Sequence, residues 1–237
     1  MAKINFIYGV HAVSAVLKYS PHRAYKLILA RKKNEDELLT LARVANVSCD
    51  FIDRNALENR YRVGSDAQGV VLECAPFSYT PLEEIIERSE SKIMVLDSWQ
   101  DAANLGRAAR AALLFGASGL IIATDRCAQI TNAAEKSAVG ALARLPVARV
   151  ANLASALKKI AQSGFFIYGA DQSGSVSLRD CDFAQKIAIV VGQEGEGIRP
   201  LIMKQCDMIV NIPMKSDDIC LNAGDTALLF LYELSFK

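Results

Sequence analysis

Ile187-Ala-Ile-Val-Val191, followed at once by Gly192-Gln-Glu-Gly-Glu-Gly197, is the stretch whose reading decides the fold. Five consecutive apolar residues, four of them β-branched, predict a strand buried on both faces. That is the pattern of a parallel sheet covered by helices on either side. A glycine-rich loop directly after such a strand lies where open α/β sheets place their ligands, at the carboxyl ends of the strands. Its spacing, G-x-x-G-x-G, is neither the dinucleotide fingerprint G-x-G-x-x-G nor a P-loop, since no lysine follows. Glu194 and Glu196 make it a poor host for a polyanion, whereas its glycines permit the backbone to approach a flat ligand closely. A purely structural turn accounts for the loop equally well.

Outward from this strand the same rhythm covers residues 91–237. Strands are expected at Ile93–Leu96, Gly119–Ala123, Phe165–Gly169 and Met208–Ile212, with helices at Asn104–Phe115, Ala133–Leu145, Asn152–Ser163 and Pro200–Cys206 between them. An α/β class follows from this alternation. Residues 1–75 read as a separate small α/β unit: a helix over Ile7–Tyr19, an apolar run Tyr25–Ala30, a helix over Asn34–Val44 capped by Asn34, and strands at Cys49–Ile52 and Gly69–Cys74. Residues 76–90, with two prolines and an acidic amphipathic stretch, read as a linker.

Composition narrows the function. With 27 Lys+Arg against 26 Asp+Glu and 51% apolar residues in 237, the chain has enough surface to bury for a folded protein. Its longest apolar runs, Ala227–Tyr232 and Ile187–Val191, are far short of the ~18 residues a membrane span needs. The amino-terminal sequence lacks the pattern of an export signal, so a cytoplasmic location is the expectation. Six cysteines without a C-x-x-C pair and only two histidines, His11 and His22, give no metal-ligand spacing, so no metal is expected. Charge is unevenly placed: seven basic residues precede Glu35, the first acidic one, and residues 1–75 hold eleven basic against eight acidic residues. Such clustering suits a phosphate-tracking surface, and equally a solvated basic face.

Two further segments carry chemistry. Asp97-Ser-Trp-Gln-Asp-Ala-Ala-Asn104-Leu-Gly106-Arg-Ala-Ala-Arg110 follows a strand and opens a helix, with Asn104 as candidate cap and Arg107 and Arg110 three apart. Taken alone, these arginines are better explained as solvent-facing side chains. Ile212-Pro-Met, and then Cys220-Leu-Asn222-Ala-Gly224, bring Leu221 and Asn222 to the start of the terminal helix, Pro213 having stopped the strand before it.

Together, Asn104-x-Gly106-x-x-x-Arg110, Gly192-x-Glu194-x-x-Gly197, and Ile212-Pro-Met with Leu221-Asn222 resemble the three motifs of the SpoU-TrmH family of RNA ribose 2′-O-methyltransferases. Phe6-Ile-Tyr-Gly-Val-His-Ala, Asp125-Arg-Cys-Ala-Gln and Leu145-Pro-Val-Ala-Arg-Val-Ala-Asn-Leu extend the resemblance over essentially the whole chain, toward members acting on 23S rRNA. The resemblance implies a trefoil-knotted parallel-sheet methyltransferase domain at 91–237, active as a homodimer and preceded by an RNA substrate-binding domain. It further implies S-adenosylmethionine held by the backbone at Gly192, Ile212 and Leu221. Arg110 would act at the ribose hydroxyl, Asn104 would hold Arg110, and Glu194 would brace the knot loop or the partner's arginine. A guanidinium is a poor proton acceptor, so Arg110 is expected to position rather than deprotonate. Where the family commonly has Ser-Leu-Asn-x-Ser, this chain has Cys220 and Gly224. That departure sets a catalytically weak rRNA-binding assembly factor beside the first reading, and methylation of a tRNA ribose stands as a same-class alternative, disfavoured because the amino-terminal unit resembles that of the rRNA enzymes.

Overall fold

The computed structural model describes residues 5–30, 36–89, 91–216 and 219–236. Lys3, Arg31, Lys32, Lys33 and the proposed cap Asn34 lie outside the described residues. In chain order the amino-terminal unit comprises β1 (Phe6–Tyr8), α1 (Val10–Tyr19), β2 (Ala24–Ala30), α2 (Asp36–Val44), β3 (Ser48–Ile52), α3 (Arg54–Tyr61) and β4 (Val70–Cys74). The remainder comprises α4 (Leu82–Arg88), β5 (Lys92–Leu96), α5 (Ala102–Leu114), β6 (Gly119–Ala123), α6 (Asn132–Ser137), β7 (Val147–Val150), α7 (Leu153–Gln162), β8 (Phe166–Ala170), β9 (Val176–Ser177), β10 (Ile187–Val191), α8 (Pro200–Met203), β11 (Met208–Asn211) and α9 (Ala223–Glu233).

Two sheets result. The first has the order β1-β4-β2-β3; the second has seven strands in the order β7-β6-β5-β10-β8-β11-β9, all paired in parallel. The five residues of β10 are all buried, with Ile187, Ile189 and Val191 packed to one side and Ala188 and Val190 to the other. This is the doubly covered strand that its sequence predicts. The late strand β10 is seated between the earlier β5 and β8, so each flank of the sheet's centre depends on it.

Several sequence expectations need correction. Phe6–Tyr8 is a strand and not the first turns of a helix: Gly9, at φ 90°, turns the chain before α1 begins. The helix expected over Ala133–Leu145 is cut into α6 and a short 3-10 turn at Ala141–Ala143, because Val139 and Gly140 adopt positive φ. A side chain at Gly140 would meet Ala15 at 2.5 Å and the His11 carbonyl oxygen at 3.1 Å, so close packing against α1 dictates the break. Helix α3 and strands β7 and β9 were not anticipated. The segment read as a linker, 76–90, lies against the large sheet: Leu82 and Ile85 of α4 are buried on it, and the Thr80 N–H donates to the Val147 carbonyl at 2.8 Å.

The small sheet is docked on the large one through α6 and the 3-10 turn. At the centre of this contact the Arg23 guanidinium meets the Glu135 carboxylate at 2.7 Å, with side chains only 4% and 6% exposed. Phe77 covers the guanidinium at 5.3 Å, and Lys136 donates to the Asp66 carbonyl.

Candidate functional site

Because all pairings of the seven-stranded sheet are parallel, every loop that follows a strand emerges at one edge. The strand order reverses around β5 and β10, and a crevice outside the carboxyl ends at such a reversal is the expected ligand position. A cleft of about 310 Å³ lies there, walled by the loops after β8, β10 and β11 and by the start of α9. Gly192, Ile212 and Leu221, the three residues assigned to the cofactor, all line it, as does Glu194. Its walls are apolar at Val191, Ile212, Met214, Leu221 and Phe230, and its charged groups are the carboxylates of Asp171, Glu194 and Glu196. No lysine or arginine is among the described lining residues.

The geometry gives the glycines a different reason from the one the sequence suggested. A Cβ at Gly192 would collide with the carbonyl group of Gly197 and the Ile198 nitrogen, so the close approach is of the loop to itself. A bridge between Gln193 and Gly197 closes this turn, the Gly197 N–H donating to the Gln193 carbonyl at 3.1 Å, while Gly195 and Gly197 hold φ of 82° and 69°. Gly106 likewise serves packing: a Cβ there would strike the Ala134 carbonyl oxygen and stand 2.8 Å from Ser137 Cβ, so its absence lets α5 cross α6 closely.

A second cleft of about 390 Å³ adjoins the first, sharing Gln193, Glu194, Glu196 and Ala223 and adding Trp99, Asp101 and Asn104. Asn104 and Glu194 thus face one space. Asn104 does not cap α5, however; Asp101 does, accepting from the Ala103 N–H at 2.7 Å. Asn104 sits within the first turn of the helix, buried, where its Oδ1 accepts from Arg107 and not from Arg110. Arg110 is exposed and lines neither cleft; six residues beyond Asn104, it lies ~9 Å further along the helix axis. It shares its face of α5 with Arg107 and Leu114. Glu194 Oε2 accepts from Asn222 Nδ2 at 2.7 Å, so within the described residues its partner is the cap of α9.

One anchoring pair was not recognised in the sequence. Asp97, fully buried after β5, accepts from the Arg199 backbone N–H at 2.9 Å and from its guanidinium Nε and Nη2 at 2.7 and 2.6 Å. The pair fixes the far end of the glycine loop to the end of β5. The Trp99 indole N–H adds a 3.0 Å bond to the Val191 carbonyl, where that loop begins. Separated by a hundred residues of chain, the two partners leave no local signal. Among the described residues no cluster of His, Cys, Asp or Glu is arranged to hold a metal.

The SpoU rRNA methylase family model matches residues 91–232, and the model for RNA 2′-O ribose methyltransferase substrate binding matches residues 6–80. Among curated relatives, the chain is 33% identical to a 23S rRNA (guanosine-2′-O-)-methyltransferase of Pseudomonas syringae over 98% of its own length and 96% of that protein. It is also 33% identical to an uncharacterized tRNA/rRNA methyltransferase of Synechocystis, of whose longer chain it spans 62%. Among solved structures, the SpoU methyltransferase AviRb of Streptomyces viridochromogenes in complex with AdoMet shares the fold, with a TM-score of 0.81 at 23% identity over 98% of this chain and 89% of that one. With more than half of its length matched by the methylase model and near full-length relatives at one-third identity, the chain belongs to the SpoU rRNA methylase family.

Proposed function

We propose that the protein transfers a methyl group from S-adenosylmethionine to the ribose 2′-hydroxyl of a guanosine in 23S rRNA, in the cytoplasm and as a homodimer. The observation that carries the reading is the cleft at the sheet's reversal point, with apolar walls, three carboxylates and no cation among its described lining. Those residues fit this cofactor: a neutral adenosine suits Ile212, Leu221 and Phe230, and a sulfonium cation suits Asp171, Glu194 and Glu196. A phosphate-bearing dinucleotide does not fit them.

When bound, the cofactor supplies a methyl carbon activated by the positive sulfur. The backbone at Gly192, Ile212 and Leu221 holds the adenosyl part. Glu194, tied to Asn222, keeps the glycine loop against α9 and so fixes the mouth of the cleft. Asn104 orders the exposed side of α5 through Arg107, while Arg110, outside its own protomer's clefts and on the Leu114 face offered to the partner, would receive the RNA phosphate and position the 2′-hydroxyl at the partner's cleft. The hydroxyl proton would leave to solvent or to a neighbouring RNA phosphate, since the cleft's described lining offers carboxylates but no neutral base. Positioning of this kind is worth up to ~7–11 kcal/mol. An arginine that only clamps needs no change in its own protonation.

Dimerisation is supported by an apolar face shared by α5 and α9. Leu114 is 67%, Tyr232 50% and Phe236 73% exposed, and Phe115, Tyr232 and Phe236 form an edge-to-face ladder with centroids 5.9 and 4.9 Å apart. The placement of β10 between β5 and β8 supports a threaded, trefoil-knotted path for the chain that returns over its loop. Mapping ribose methylation across total RNA from cells with and without the gene tests the assignment. Loss of one 23S mark is expected; loss of a tRNA mark instead would assign the protein to tRNA, and an unchanged pattern would make it a binding factor.

A further inference from the structure

We propose that the junction between the two sheets is a second RNA site, taking a single-stranded nucleotide of the substrate on a platform made by Tyr19, Lys18, His22 and Arg144. The proposal rests on the reading of the protein as an RNA methyltransferase and assigns that substrate a contact remote from the reaction cleft. Tyr19, at the end of α1, is 46% exposed. Its ring is flanked by the Arg144 guanidinium at 4.9 Å and the Lys18 ammonium at 5.2 Å. Lys18 and Tyr19 come from the amino-terminal unit and Arg144 from the turn before β7, so the platform exists only because the two units are docked. Ser20 Oγ donates to the Ala143 carbonyl at 3.0 Å and fixes the two sides together.

Beside the platform opens a cleft of about 200 Å³ lined by His22, Ser78 and Arg144 among others, with no carboxylate in its lining. The nearby Glu135 is already neutralised by Arg23, and among the described residues neither Lys18 nor Arg144 has a carboxylate partner. Exposed aromatic and guanidinium planes are what unstacked bases stack on, and lysine and arginine are what the adjoining phosphates require. An apolar occupant would leave both cations unanswered, and a carboxylate would pair with them but leave the Tyr19 ring without a stacking partner.

Position separates this cleft from the chemistry. Arg144 and Pro146 precede β7, at the amino edge of the large sheet, whereas the cofactor cleft opens at the carboxyl edge. The strand between the two edges alone spans ~13 Å, so the occupant is not the nucleotide being methylated. Contacts made equally in the ground and transition states raise affinity without raising turnover. The platform therefore selects the RNA.

The test uses the full-length protein, a fluorescein-labelled single-stranded octanucleotide and a 23S rRNA transcript. Tyr19→Ala and Arg144→Ala are each expected to weaken octanucleotide binding about five- to tenfold, as loss of one stacked base contact does. Arg144→Ala is also expected to reduce the salt slope by about one. Tyr19→Phe, which keeps the ring, is expected to bind like the natural protein and so controls for folding. On the transcript, the alanine variants are expected to raise KM with kcat retained. Photocrosslinks from a 4-thiouridine octanucleotide are expected on residues 18–22 or Arg144. Octanucleotide affinity unchanged in both alanine variants, or crosslinks wholly outside these residues, would overturn the proposal. Binding is read without turnover, so a protein that methylates no RNA yet loses binding on Tyr19→Ala refutes the assigned reaction and upholds this site.

Discussion

Asn222 uses both ends of its amide at once. Its Oδ1 accepts from the Gly224 N–H at 2.8 Å to cap α9, and its Nδ2 donates to Glu194 at 2.7 Å, so one side chain joins the terminal helix to the glycine loop. Asn222→Asp is expected to keep the cap while placing a carboxylate against Glu194. Cofactor affinity by calorimetry should fall about tenfold or more, with little change in melting temperature. Asn222→Ala should lower both, the lost cap alone costing ~1 kcal/mol. An aspartate variant with normal affinity would free the loop from this tie.

Gly192→Ala is expected to damage the protein beyond its cofactor site, because the new Cβ meets the Gly197 carbonyl group and the Ile198 nitrogen. Thermal unfolding should shift downward together with the loss of cofactor binding, and Gly192→Val should be worse. Intact stability with lost binding would mean that the glycine is there for the ligand.

Arg110 and Arg107 lie three residues apart and are expected to separate. Arg110→Ala should lose most methyl transfer while keeping cofactor affinity within about twofold, and Arg110→Lys should recover little, since an ammonium lacks the planar fork. Arg107→Ala removes the partner of Asn104 and should cause a smaller loss. Single-turnover methylation of a 23S rRNA transcript reads both. Full activity in the lysine variant would refute the geometric role.

Cys220 is the exposed thiol of the cofactor cleft, whereas burial pushes Cys206 up to about 12 and Cys74 up to about 11. Iodoacetamide at pH 8 is expected to label Cys220 first, and S-adenosylmethionine to slow that labelling, while Cys206 and Cys74 stay unmodified until the protein unfolds. Peptide mapping decides it. Cys220→Ser should leave turnover within about tenfold, as one neutral hydrogen bond is worth ~0.5–1.5 kcal/mol. Adding Gly224→Ser should bring little further gain, because a Cβ at 224 stands 3.1 Å from Asn222 Oδ1 and presses on the cap.

Arg23→Ala is expected to destabilise the protein by ~3–5 kcal/mol, since it leaves the Glu135 carboxylate buried without its cation. Removing both charges in Arg23→Met, Glu135→Leu should restore much of the loss in a thermal melt. Equal destabilisation in the single and double variants would show that Glu135 is not held by this pair.

Strands β6 and β10 were legible to the residue because both of their faces are buried, so a five-residue run bounded by Ser118 and Thr124 in one case and by Lys186 and Gly192 in the other leaves little choice of ends. Helix α3 was missed because only Leu57 and Tyr61 of its eight residues turn inward, too few to write a period. The break at Gly140 is set by α1, far away in sequence, and no local pattern encodes it. Asp101 and Asn104 are both good caps, and the sequence offered no means to rank them. That Gly192, Ile212 and Leu221 line one cleft could be read only from spaced motifs taken together, whereas the Asp97–Arg199 pair, far apart along the chain, was not legible at all.

The seat of β10 between β5 and β8 bears on how the chain is made. Lys92 pairs with Ile187, and until that partner is synthesised β5 lacks a neighbour on one flank and β8 waits beside it unjoined. Such distant pairing slows folding and leaves sheet edges open to other chains in the meantime. A ribosome-bound chain ending before Val191 already holds the complete amino-terminal sheet, yet of the cleft proposed for the cofactor it carries only Ala170, Asp171 and Gln172, the rest of the lining coming from Val191 and later residues. Slow refolding, chaperone dependence of truncated nascent chains and a late, abrupt gain of cofactor affinity with chain length are the kinetic signature of that one insertion.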